Sequence, residues 1–180
     1  MNDKQDASKN LASRPFVRFG SLNTPIGLVF VSISNNGLFD VAFGITDQVR
    51  YIARLGNRVA RATPDRRAVS SVLDQLDNYF AGNLTRFSIP VDLRVSTVFA
   101  YRVLLAASQI PFGETISYGE TAKLVGSPGA SRAVGGALGR NPLPIVIPCH
   151  RVIAADGSIG GFTGGLAIKK VLLRLEGHRV

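Results

Sequence analysis

Apolar and polar positions follow one period in the first half of the chain and another in the second. Ile26 to Ser32, IGLVFVS, is a short apolar run rich in β-forming residues, and Leu38 to Phe43, LFDVAF, is a second. Asn35-Asn36-Gly37 lies between them. An Asn-Gly pair supplies the positive φ angles of a tight primed turn, so the two runs predict a β-hairpin. From Thr46 to about Ala60 the spacing becomes helical. A second helix follows the start signal Thr63-Pro64-Asp65, with Val69, Val72, Leu73, Leu76 and Phe80 at core-facing spacing and a stop at Gly82-Asn83. Arg86 to Arg94, RFSIPVDLR, alternates Phe87, Ile89, Val91 and Leu93, as an edge strand carrying a proline would. The first half therefore predicts a small sheet with helices.

After residue 95 the period is helical nearly throughout. Thr97 to Ile110 reads as a helix, and Ser117 with Glu120 has the spacing of a capping box, which starts another helix near Tyr118 and lets it run to Gly126. Ser127-Pro128 supplies an N-cap and a first-turn proline for a third helix containing Arg132, Gly135, Gly136 and Gly139. Two short helices joined tightly are a helix-turn-helix candidate. Each glycine costs a helix interior about 0.8–1 kcal/mol relative to alanine. Either a nucleic-acid groove or another helix approaching the backbone closely would account for that cost. Asn141-Pro142 ends this helix, since the residue before proline is pushed out of the helical region. The Asn141 amide is then free to fix the turn before strand-like Ile145 to Ile147. A glycine-rich loop from Gly157 to Gly165 precedes a closing helix with Leu166, Leu172, Leu173 and Leu175 near one face, ending at Glu176-Gly177-His178.

Residues 1 to about 13 are polar and aperiodic and read as a disordered tail, with the fold starting near Pro15. No run approaches the roughly 20 apolar residues that span a bilayer, and the N-terminus lacks the apolar core of a secretory signal, so the expected location is the cytoplasm. With 46% hydrophobic residues the 180-residue chain can bury a core. Its net charge of +9 favours a polyanionic partner such as nucleic acid, the alternative being a charge that only keeps it soluble. Arg50, Arg54, Arg58 and Arg61 recur along one face of the helix expected from Thr46. They read either as a solvated face or as a secondary contact to phosphate or to an acidic protein.

The chain has one cysteine, Cys149, and two histidines, His150 and His178. No internal disulfide and no Cys/His metal cluster can be assembled from these, and no metal is expected. A lone cysteine is either an inert core residue or a nucleophile. As an ordinary thiol it is only ~3% thiolate at pH 7, so reactivity requires a base or a positive charge nearby. His150 and Arg151 are its neighbours in PIVIPCHRV (144–152), and Cys149 would sit where a buried strand meets a surface pocket.

RAVGGALGRNPLPIVIPCHRV, together with SYGE, GGFTGGLAIKKVLL and EGHRV, resembles the O6-alkylguanine-DNA alkyltransferases, also called methylated-DNA-protein-cysteine methyltransferases. The likeness covers residues 96–180 with several motifs in order. The first half fits only the family's general plan. The implied fold is α/β: a small N-terminal RNase H-like sheet-plus-helix domain over residues 14–94, and a mostly helical, winged helix-turn-helix-like C-terminal domain over residues 96–180 carrying the active site.

The resemblance implies direct repair of DNA. Cys149 accepts an alkyl group from O6 of guanine, and less readily from O4 of thymine, in an irreversible single turnover without a cofactor. It implies that His150 is the base, acting through a water, that Glu176 orients the imidazole and that Asn141 holds the turn. Tyr118 would donate a proton or hydrogen bond to the guanine ring nitrogen. Thr163 would contact O6, the backbone at Cys149 and Val152 would read the exocyclic amine, and Pro144 and Phe162 would wall the pocket. The partner would be double-stranded alkylated DNA, approached through the minor groove by a monomer, cooperatively or not. Arg132 would fill the place of the flipped nucleotide, Ala133, Gly135, Gly136 and Gly139 would permit close approach, and Arg140 would join the DNA-contacting set.

Phe162 stands where several members carry tyrosine, Gly161 where some carry a polar residue, and Gly139-Arg140 reverses a pair found in others. These departures bear on the tolerance for bulky adducts rather than on the reaction. Some relatives hold zinc in the N-terminal domain, and this chain lacks those ligands. Three rival readings make different predictions. An alkylation-damage sensor lacks the reactive cysteine, a DNA-binding regulator needs an activator domain, and a thiol hydrolase turns over an ester or amide without regard to DNA.

Overall fold

The computed structural model describes residues 14–94 and 97–180, so the tail expected over residues 1–13 lies outside them. Strands β1 (Phe16–Thr24), β2 (Gly27–Ser34) and β3 (Gly37–Phe43) form an antiparallel meander. A short β4 (Arg61–Pro64) joins β1 in parallel, giving the order β3-β2-β1-β4. Alternation along β1 and β2, and in β3 a register shift at Phe39, send Val17, Phe19, Phe30 and Phe39 to one face and Val29, Val31, Leu38 and Val41 to the other. The first face packs on Tyr51 and Leu55 of α1 (Gln48–Leu55), the second on Val72, Leu73 and Leu76 of α2 (Ser70–Phe80). Each such Val or Leu buried contributes about 1.5–3 kcal/mol. At Gly20 α2 lies so close to β1 that a Cβ would stand 2.7 Å from the Val69 side chain.

The hairpin is present, but its turn is not a primed one: of 35–37 only Gly37 has positive φ, at 132°. The register of β2 on β3 shifts between Ser32 and Ile33, opposite the extra residue Phe39. The helix expected from Thr46 to Ala60 is shorter. The Asp47 side chain caps it by accepting from the Arg50 N–H at 2.9 Å, Gly56 at φ 47° ends it, and Arg61 belongs to β4. No arginine stripe survives: Arg54 and Arg58 turn back onto the buried Asp40 carboxylate at 3.6 and 2.7 Å, and Arg50 pairs with Asp47 at 3.6 Å. The expected edge strand over Arg86–Arg94 reduces to one bridge, in which the Leu38 N–H donates to the Pro90 carbonyl and the Asp92 N–H to the Leu38 carbonyl, each at 2.8 Å. Pro90 has no N–H with which to extend it.

The second half is helical: α3 (Val98–Ser108), α4 (Tyr118–Leu124), α5 (Ser131–Leu138) and α6 (Leu166–Leu175), with a two-stranded parallel sheet of β5 (Ile116–Ser117) and β6 (Val152–Ile153). The capping box is complete, Ser117 Oγ accepting from the Glu120 N–H at 3.1 Å and the Glu120 carboxylate from the Ser117 N–H at 2.7 Å. α5 opens at Ser131 rather than at Ser127-Pro128, because Gly129 at φ 88° and the Ala130 N–H to Ser127 carbonyl bond close a separate turn first. Among the described residues no helix is long and apolar enough to cross a membrane. One apolar core runs through both halves, from Val31 and Leu76 to Leu104, Ile147 and Leu172.

Candidate active site

Asn141 organises the segment between α5 and β6. Its Oδ1 accepts from the Leu143 N–H at 2.9 Å, while Nδ2 donates to the Ile147 carbonyl at 2.8 Å and to Cys149 Sγ at 3.2 Å. The Ile147 N–H closes the loop onto the Leu143 carbonyl at 2.8 Å. Ile145 to Ile147 is therefore a turn and not the expected strand. Ile145 holds φ at 76°, the one positive value outside glycine among the described residues. For a β-branched side chain that conformation costs about 1–3 kcal/mol, sustained here by complete burial of Ile145 in the core.

The chain then enters a single 3-10 turn, Cys149–Arg151, which buries all three side chains. Cys149 sits at the floor of a cavity of about 590 Å³ lined by Tyr118, Ser131, Arg132, Gly135, Leu138, Gly139, Gly161, Phe162 and Thr163. A larger groove of about 880 Å³ touches Ile145–Pro148 and Arg151 but neither Cys149 nor His150.

Glu176, at the end of α6, gathers the groups behind the cysteine. Its Oε1 accepts from His150 Nε2 at 2.8 Å, from Arg151 Nη2 at 2.9 Å and from the Tyr79 hydroxyl at 2.7 Å, and its Oε2 from Arg151 Nε at 2.8 Å. Burial alone would raise its pKa; the hydrogen bonds from His150, Arg151 and Tyr79 outweigh that and hold it at about 2. Burial, helped by the charges of Arg151 and Lys169, lowers the His150 pKa against the pull of Glu176, which favours the neutral imidazole. With an anionic carboxylate against Nε2, the proton must sit there. The lone pair is then on Nδ1, which is buried without a protein partner. Burial pushes the Cys149 thiol up, opposed by the Asn141 amide and the positive charge of Lys169. The resting cysteine is a thiol with a base close by in the chain.

Lys169 escaped the sequence reading. It is fully buried in α6, and its Nζ donates to the Val152 carbonyl at 2.6 Å and to the Gly161 carbonyl at 3.3 Å, 5.9 Å from the centre of the Tyr118 ring. Burial lowers its pKa to about 8. The signal was available: position 169 lies three residues from Leu166 and from Leu172, on the apolar face of the helix. Gly160 was missed too; at φ 62° it lies where a Cβ would come within 2.9 Å of the Tyr118 ring.

The other expected residues take varied places. The Tyr118 hydroxyl donates to the Gly161 carbonyl at 3.2 Å, and burial, then the neighbouring Cys149, pushes its pKa up. Thr163 Oγ1 donates to the Gly139 carbonyl at 2.7 Å. Phe162 lines the cavity and stacks on Phe43 of β3, centroids 5.9 Å apart. Pro144 is buried and lies off the cavity lining, and the backbone carbonyl of buried Val152 is already engaged by Lys169. Arg132, Ala133 and Arg140 are exposed, and Gly135 and Gly136 are half-buried. No group of three or more His, Cys, Asp or Glu side chains able to hold a metal ion occurs among the described residues.

A cavity-lining cysteine held by Asn141, beside a buried His–Glu pair and beneath two short helices, is an arrangement suited to a thiol acceptor joined to a DNA-binding module. Comparison with known proteins agrees in both halves. The DNA-binding domain of 6-O-methylguanine DNA methyltransferase matches residues 98–178, and the ribonuclease-like domain of the same proteins matches residues 17–93. The methylated-DNA–protein-cysteine methyltransferase of Mycobacterium leprae is 45% identical over 160 residues, 89% of this chain and 92% of the relative. That of Mycobacterium tuberculosis is 54% identical over 117 residues, 65% of this chain and 70% of the relative. The crystal structure of the M. tuberculosis O6-methylguanine methyltransferase superposes with a TM-score of 0.77 at 42% identity, covering 89% of this chain and 92% of that one. Its complex with DNA superposes with a TM-score of 0.76 over the same shares. The chain belongs to the methylated-DNA–protein-cysteine methyltransferase family.

Proposed function

We propose that this protein repairs DNA by taking the alkyl group from O6 of guanine, and less readily from O4 of thymine, onto Cys149 in a single irreversible turnover. The observation that carries this reading is Cys149 held by Asn141 at the cavity floor, followed in the chain by a buried imidazole whose only free nitrogen is Nδ1. The thiol proton passes to Nδ1 through a water, and the resulting imidazolium is neutralised by Glu176. The thiolate, drawn by Lys169, attacks the alkyl carbon. The carbon–oxygen bond breaks, its electron pair goes to the guanine, and Tyr118 supplies a proton or hydrogen bond to the ring nitrogen as that charge develops. The product is a thioether on Cys149. It does not hydrolyse, so protein is consumed with the lesion.

Inside a duplex the alkylated oxygen is out of reach, so the nucleotide is flipped into the cavity at a cost of a few kcal/mol, least for a damaged base. Arg132, exposed at the rim, fills the vacated stack, and α5 enters the minor groove. Its glycines support that reading. A Cβ on Gly135 or Gly136 would meet its nearest protein atom at an ordinary 3.7 Å, so internal packing does not require them. Ala133 and Arg140 lie on the same DNA-facing surface, Thr163 turns from Gly139 to the O6 atom, and Phe162 walls the base. The protein acts as a monomer in the cytoplasm, residues 96–180 carrying the chemistry and residues 14–94 forming the second domain.

Mixing the protein with an equimolar duplex bearing one O6-methylguanine tests this by intact mass. One added methyl mapping to Cys149, with no turnover when DNA is in excess, is the expected result. Binding of the lesion without a change in mass replaces the reading by that of a damage sensor.

A further inference from the structure

The N-terminal half reaches the catalytic groups. Tyr79 lies on α2, 97 residues from Glu176 in sequence, and its buried hydroxyl donates to Glu176 Oε1 at 2.7 Å. Its ring is wedged by Phe80, Phe87 and Phe112 at centroid distances of 5.3, 5.5 and 6.2 Å, so the hydroxyl has little freedom to turn away. Phe112 in turn carries the Arg151 guanidinium 5.8 Å from its ring centre. The oxygen that Tyr79 contacts is the one that holds His150 Nε2. We propose that Tyr79 is a positioning residue for alkyl transfer, through which the ribonuclease-like domain holds Glu176 in line with His150 and sets how strongly that pair holds a proton. The inference rests on the proton path proposed above.

Burial keeps the Tyr79 phenol neutral, so it acts as a donor throughout the working range of pH. Its bond withdraws charge from Glu176 Oε1 and lowers the basicity that this oxygen confers on the imidazole. The groups facing Glu176 are His150 and Arg151 from the 3-10 turn, Tyr79 from α2 and the Gly113 N–H at 3.4 Å, and His150 feels Arg151 and Lys169 besides. Of these, Tyr79 alone comes from the first half. Without its hydroxyl the carboxylate leans toward its remaining partners, and His150 takes a proton at higher pH, which disables it as a base.

The test is the single-turnover rate of methyl transfer from an O6-methylguanine duplex, measured against pH, for the whole protein and for Tyr79→Phe. Loss of a hydrogen bond to a charged group predicts a rate about tenfold lower at neutral pH. The acid limb of the profile is expected to move up by about half a unit. Phe87→Leu, which loosens the ring without touching the hydroxyl, lowers the melting temperature and leaves the acid limb in place. Replacement of Tyr79 alone by 3-fluorotyrosine, a stronger donor in an intact fold, moves the limb the other way. A Tyr79→Phe profile identical to wild type overturns the proposal, and so does Phe87→Leu moving the limb as far as Tyr79→Phe. Failure of the wild-type protein to accept methyl at all is a separate result, and refutes the function instead.

Discussion

Asp40 on β3 and Glu176 at the end of α6 are two buried carboxylates, one in each half, and each faces two basic side chains. Asp40 is reached from the surface by Arg54 and Arg58, whose side chains keep 42% and 41% of their exposure. Its Oδ2 has no hydrogen-bond partner. Glu176 is served entirely from inside, with both oxygens occupied. Among its own partners the atom left without a hydrogen bond is His150 Nδ1. Arginines that are half in water anchor a helix to a sheet and can let go cheaply. Partners that are all buried hold a carboxylate in one direction, which is what a proton path requires.

Removing the acceptor is the most severe change: Cys149→Ser should abolish methyl transfer, measured by intact mass, while leaving duplex binding near wild type. Glu176→Gln breaks the internal cluster. A reduction in transfer rate of about a hundredfold or more is expected, with about 3–5 kcal/mol lost in denaturant unfolding as Arg151 stays buried without its anion. Asp40→Asn breaks the surface-fed cluster at about 1–3 kcal/mol and should leave the transfer rate unchanged. Equal effects of these two substitutions on the rate would dissolve the contrast between the halves.

Acid sharpens it. Glu176 is held at about 2 in the fold against an ordinary 4.5, so its stabilising effect is full above pH 4.5 and is lost as the pH falls toward 2. The difference in melting temperature between wild type and Glu176→Gln should therefore narrow across that window. Gly160→Ala is a smaller change, because a side chain at positive φ that also presses on Tyr118 costs about 1–2 kcal/mol, with a several-fold slower transfer. Arg50→Ala, at an exposed pair with Asp47, should leave both melting temperature and transfer rate where they are.

Much of the site is legible in the sequence, since its signals are local. Ser117 and Glu120 meet within one helical turn, and Asn141 reaches Ile147 and Cys149 within one loop. Two local readings failed for a shared reason. The arginine spacing from 50 to 61 was helical, but Gly56 leaves the helix and buried Asp40 draws Arg54 and Arg58 inward. Ile145 to Ile147 has the composition of a strand, yet the Asn141 amide and the Leu143 carbonyl take the backbone groups that a strand would offer a neighbour.

The order of motifs by itself determined the family, the helical DNA-binding half and the hairpin, because each depends on residues a few positions apart or on a motif specific enough to read whole. Only the tertiary structure decided that Tyr79 reaches Glu176, that Lys169 is buried against Val152 and that Phe43 backs Phe162. Those contacts join separate elements. Nothing in a local period records which tyrosine, lysine or phenylalanine will be the one that a shared core brings to a distant partner.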